Sequence, residues 1–92
     1  MLSIKEFFKK YGKDKNENAL MSAICPNDMK INTLYNIIKG HAFAGIPKAF
    51  DIKFNSEKYL TENNLDLSDT IDPGSVVSEE NKQAIAKILI SK

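Results

Sequence analysis

Along the first forty positions, apolar residues recur at spacings of three and four, the period of helices that bury one face. Ile4, Phe7, Phe8 and Tyr11 fall on a single stripe, with Lys5, Lys9 and Lys10 off it. Ser3 and Glu6 form a Ser-x-x-Glu capping box, in which each side chain satisfies a free backbone N–H of the first turn. Gly12 is the expected stop, as a left-handed cap. A second helix holds Ala19, Leu20, Met21, Ala23 and Ile24, with Asn16 or Asn18 as its cap. Pro26-Asn27-Asp28 breaks the chain after it, because proline lacks an N–H and Asn-Asp favours turns. A third helix is expected from about Lys30 or Asn32 to Lys39, stopped by Gly40. Ile31, Leu34, Ile37 and Ile38 should point inward, with Tyr35 at the border and Asn32, Thr33, Asn36 and Lys39 outward.

Past Gly40 the period is weaker. His41 to Gly45 reads as a loop with Phe43 dipping into the core. Pro47 suits the first turn of a short helix through Phe50 and Ile52, and Asn55 or Ser56 can cap another that holds Tyr59 and Leu60. Thr61 to Ser75 is polar, acidic and broken at Asp72-Pro73-Gly74, with room for a short strand near Ser75 to Val77. Ser78, Glu79 and Glu80 open a last helix, with acids at its positive end. Ala84, Ile85, Ile88 and Leu89 make its apolar side, and Lys92 sits at its negative end. The pattern predicts an all-α fold. Five short helices occupy residues 1–61, followed by an acidic loop and turn over 62–77. A C-terminal helix over 78–92 serves for packing or dimerisation.

With 92 residues, 42% of them apolar, the chain has material for one core. A solitary Cys25 excludes an internal disulfide and fits a reducing, cytoplasmic compartment. Together with His41 it supplies too few ligands for a structural zinc site, so neither metal nor cofactor is expected. The N-terminus shows no basic stretch followed by an apolar signal segment, and no apolar run approaches the roughly 18 residues of a membrane span. Charge is divided unevenly within a net +1: residues 1–50 carry +4 and residues 51–92 carry −3. A basic head beside an acidic tail fits a nucleic-acid partner for the first half.

The segment Ala19-Leu20-Met21-Ser22-Ala23-Ile24, a break, and then Ile31 to Gly40 with Leu34-x-x-Ile37-x-x-Gly40 at its end resembles a helix-turn-helix. More closely, it is similar to the phage Cro and repressor (XRE-like) DNA-binding family. Residues 46–52 and 56–60 resemble that family's fourth and fifth helices. The resemblance covers about residues 3–61 and departs at the turn, which Cys25-Pro26-Asn27-Asp28 lengthens without a glycine. It implies a lambda-repressor-like fold, a third helix lying in the major groove, and a homodimeric transcriptional regulator of phage or mobile-element type. Asn32 and Asn36 would then offer amides to adenine, and Thr33 a hydroxyl to a base or phosphate. Lys30, Lys39 and His41 would meet phosphates, as would Lys5, Lys9, Lys10, Lys13 and Lys15. Ile85, Ile88 and Leu89 would pack across a two-fold axis or back on the domain.

A second class of function is a small protein-binding module, such as a phage-encoded inhibitor, antirepressor or immunity-type protein. Its acidic second half would meet a basic partner without DNA contact. Net charge near zero and the absence of arginine favour this alternative. Catalysis has no constellation behind it, since His41 has no Cys, Ser or carboxylate at a recognisable spacing. Asp66, Asp69 and Asp72 lack the order of a calcium loop, and Gly40-x-x-x-x-Gly45 is followed by Ile-Pro rather than Lys-Ser.

Overall fold

The computed structural model describes residues 1–12 and 17–91, and among them the chain is all-α. Five helices run in order: α1 (Ile4–Tyr11), α2 (Glu17–Ile24), α3 (Ile31–Ile38), α4 (Ile46–Glu62) and α5 (Glu79–Ile90). Two short 3₁₀ turns, Leu67–Asp69 and Pro73–Val76, join α4 to α5. α2 lies against α4, with α1 and α3 packed on α2. The 3₁₀ turns run beneath α4, and α5 rests on the second of them. No helix among the described residues is long and apolar enough to cross a membrane.

Local chemistry accounts for most of these elements. Ser3 and Glu6 close the capping box, each side chain accepting the other's backbone N–H at 3.1 Å. Ile4, Phe7 and Phe8 then bury the stripe that the spacing predicts. Gly12 does end α1, but at φ −96°, outside the left-handed region. Close approach is what calls for glycine there, since a Cβ would stand 2.6 Å from the Phe8 carbonyl oxygen. Asn16, named above as a cap, and Lys13 and Lys15, named as phosphate contacts, lie outside the described residues. Asn18 falls within α2 rather than ahead of it.

Four expectations are corrected. The two short helices expected over 46–60 are one helix of 17 residues. Ala49, Ile52, Ser56 and Leu60 continue one buried stripe through the supposed break. The residues expected to cap a new helix are engaged elsewhere: Asn55 Nδ2 donates to the Ile24 carbonyl at 2.9 Å, and Ser56 Oγ donates to the Lys53 carbonyl at 2.6 Å. Phe43 does not dip into the core but is 65% exposed, and neighbouring Ala44 is buried instead, its N–H donating to the Val76 carbonyl at 2.7 Å. Near Ser75 the chain winds into a 3₁₀ turn instead of a strand; the extended pairing is a lone parallel bridge between Leu2 and Ile71. Ile31, expected inward at the start of α3, is 43% exposed, because α3 packs through Leu34, Ile37 and Ile38.

The stretch from 62 to 77 is structural. Thr70, Ile71, Pro73, Val76 and Val77 are buried. Its aspartates build it: Asp66 accepts the Ser68 N–H and Asp72 the Gly74 N–H, each at 2.9 Å. Asp69 accepts from the Lys10 ammonium at 2.6 Å and from the Tyr11 hydroxyl, tying α1 to the first 3₁₀ turn. The ammonium and the phenol hold the Asp69 carboxyl below its ordinary value near 3.8. Backbone and side-chain bonds at Ser3 and Ser68 lower Glu6 and Asp66 in the same way. A carboxylate lowered by folding adds stability that is present above its unfolded pKa and is lost as pH falls through the folded one. Urea midpoints should therefore hold level from pH 7 down to about 5 and fall below about 4. In Asp69→Asn that acid limb should be shallower; an unchanged limb would show that the Lys10–Asp69–Tyr11 cluster carries no linked stability.

Candidate nucleic-acid interface

α3 is held by one side only. Leu34 is fully buried, Ile37 and Ile38 nearly so, and together they seat the helix. Its opposite arc, read around the helix, presents Ile31, Tyr35, Lys39, Asn32, Asn36 and Thr33. Lys30, Asn32, Thr33, Lys39 and His41 are exposed, and Asn36 is half-buried at the edge. Four of the six residues that the sequence marks for contact, Asn32, Thr33, Asn36 and Lys39, lie on that arc, while Lys30 caps the start of the helix and His41 follows its end. The Lys39 ammonium lies 5.3 Å from the centre of the Tyr35 ring, which steadies it over an aromatic surface.

The end of α3 is a Schellman motif. His41 N–H donates to the Asn36 carbonyl at 2.8 Å and Gly40 N–H to the Ile37 carbonyl at 3.1 Å, with Gly40 at φ +83°. A side chain is strained in that region, so Gly40→Ala should lower stability by about 1 kcal/mol. Urea unfolding checks this, and an unchanged midpoint would count against the left-handed cap.

The turn between α2 and α3, residues 25–30, is long for a helix-turn-helix but is pinned at several points. Met29 N–H donates to the Pro26 carbonyl at 3.0 Å, and the Cys25 thiol to the Met29 carbonyl at 3.1 Å. Asp28 pairs with Lys48 of α4, an attachment that the sequence pattern did not foresee. Pro26 is buried. Burial pushes the Cys25 thiol above its ordinary value, away from the thiolate that a reactive cysteine needs.

Electrostatics set this face apart. Met29 to Phe50 contains no Asp or Glu. Lys10, Lys48, Lys53 and Lys82 are paired with Asp69, Asp28, Glu57 and Glu79. Among the described residues, Lys5, Lys30 and Lys39 form no ion pair, as is also true of Lys9, Lys58 and Lys87 elsewhere on the surface. Three open grooves mark the surface elsewhere, by the 25–30 turn and α4, beside α5, and along α1. None of the three is lined by α3.

Ile85, named with Ile88 and Leu89 for dimerisation, is 1% exposed and anchors α5 to its own domain. Of the two alternatives expected for it, Ile85 meets the second, packing back on the domain, and its dimerisation role is corrected because it has no surface to offer a second chain. Leu89 is half-buried, while Ile88 is 38% and Ile90 82% exposed. The three aspartates considered for calcium each hold different partners, and no group of three or more His, Cys, Asp or Glu that could hold a metal ion occurs among the described residues. Set against protein-family models, curated proteins and solved structures, the chain matches none of them.

Proposed function

We propose that the chain is a sequence-specific DNA-binding protein that lays α3 in the major groove and regulates transcription. The observation that carries this reading is the outward arc of α3. It presents two amides, a hydroxyl and a lysine without a carboxylate among them, on a helix whose other side is fully packed. Asn32 and Asn36 have the paired donor and acceptor that adenine N6 and N7 require. Thr33 suits a base edge or a phosphate, and Lys30, Lys39 and His41 suit phosphates at the two ends of the helix. One eight-residue helix reaches few bases, so a homodimer on two half-sites completes the scheme. A two-fold contact through α5 would use Ile88 and Ile90 with the edge of Leu89.

Titration of a labelled random-sequence duplex at two salt concentrations tests the proposal. Binding in the micromolar range at low salt, falling steeply as salt rises, is the expected result. Lys39→Ala should weaken binding to every sequence and flatten its salt dependence. Asn36→Ala should relax preference at one base pair, with about 1–3 kcal/mol of discrimination lost. No binding at low salt would overturn the proposal and favour the protein-binding module. The observation on that side is the exposure of Phe43 (65%) and Phe54 (51%), aromatic surface that a duplex backbone would not cover.

A further inference from the structure

We propose that Lys5 of α1 and Lys39 of α3 form a two-helix clamp for one backbone phosphate of the duplex. The clamp rests on the DNA reading above and adds to it which basic residues touch the backbone and along which flank of the molecule it runs. The lysines of α1 divide between two flanks. Lys10 turns toward the first 3₁₀ turn, where Asp69 neutralises it. Lys5 turns the other way, and its Nζ stands 3.6 Å from where a Cβ on Gly40 would be. It therefore reaches the very end of α3, next to Lys39 in sequence and beside exposed His41.

Several facts leave the Lys5 ammonium available there. The carbonyls of Tyr35, Asn36 and Ile37 are already taken by the N–H groups of Lys39, His41 and Gly40. Among the described residues Lys5 Nζ has no hydrogen-bond or ion-pair partner. Glu6, the carboxylate beside it, is drawn back to the Ser3 N–H. The negative end of α3 holds a cation nearby without neutralising it. A phosphate oxyanion approaching that end meets the Lys5 ammonium, and the Lys39 side chain, its ammonium over the Tyr35 ring, starts from the residue beside Gly40. The spacing of α1 residues alone cannot separate Lys5 from Lys10; the fold does.

The test is the salt dependence of binding to a random-sequence duplex, measured by anisotropy across a salt series. Because the two lysines share one phosphate, the Lys5→Gln/Lys39→Gln double variant should reduce the slope of log K against log salt by about 0.9, and each single variant by part of that. Lys58→Gln and Lys87→Gln, exposed on α4 and α5, should keep the wild-type slope. Lys5→Arg, which retains the charge, should also keep it, and thermal melting identifies any variant that has simply unfolded. If Lys5→Gln keeps the wild-type slope while Lys39→Gln loses the full unit, or if the double variant loses about 1.8, the clamp is overturned and the DNA reading survives. If the wild type binds no duplex at low salt, both are overturned together.

Discussion

Phe7→Ala is expected to lower the stability of the domain by about 4 kcal/mol, within the 3–5 kcal/mol typical of a buried Phe truncated to Ala. Phe7 is fully buried, and its ring lies 5.1 Å from Tyr11 and 6.2 Å from Tyr59, centre to centre. It joins α1 to the middle of the core and to the C-terminal part of α4 in one contact. A domain of this length has roughly 5–14 kcal/mol in total, so the loss removes more than a quarter of it. Urea unfolding should show the midpoint falling while the slope holds. A loss under about 1.5 kcal/mol would mean that the ring is far less tightly enclosed than its burial indicates.

How far the fold was legible depended on whether a residue's role was local. The Ser3–Glu6 box, the buried stripe of α1, the outward arc of α3 and the stop at Gly40 are each decided within five or so positions of the chain, and all stand in the structure. Roles decided across the fold were misread. Asn55 and Ser56 have the chemistry of caps, yet both hydrogen-bond within or across the bundle, and α4 runs through them. Phe43 is the largest apolar residue in its loop, but Ala44 takes the buried place because its backbone bonds to Val76. Ile85 and Ile88 share one apolar side on a helical wheel; only packing on the second 3₁₀ turn separates the buried one from the exposed one. For the same reason Lys5 was not distinguishable from Lys10.

These misreadings follow one rule. A periodic pattern states which side of a helix is apolar, and it is silent on which neighbour covers that side. The outward arc of α3 stays exposed because, among the described residues, α3 packs chiefly on α2, while the segment after α4 runs beneath α4 instead of over α3. An exposed helix face free of acidic residues is thus a property of the whole topology as well as of the segment.

The second large effect is expected at Ser56, the one fully buried polar residue of α4. Its Oγ donates to the Lys53 carbonyl at 2.6 Å, so its lone pairs are free to accept. They take the Ile71 N–H at 3.0 Å and face the Thr70 hydroxyl at 3.0 Å. On the other edge of the same extended segment, Leu2 N–H donates to the Thr70 carbonyl at 2.9 Å and Asp72 N–H to the Leu2 carbonyl at 2.7 Å. Ser56 therefore fixes the segment on which the N-terminus is paired. Ser56→Ala keeps the packing almost unchanged but strands the buried Ile71 N–H, while the Thr70 hydroxyl retains only the Lys53 carbonyl at 3.4 Å. An unsatisfied buried donor costs about 1–3 kcal/mol, and about 2 kcal/mol is expected here. The signature separating this from general loosening is amide exchange: Ile71 and its bridge partner Leu2 should lose protection ahead of the α2 and α3 amides. Uniform loss across the chain, or none at Ile71, would show that the hydroxyl is not what holds the segment in place.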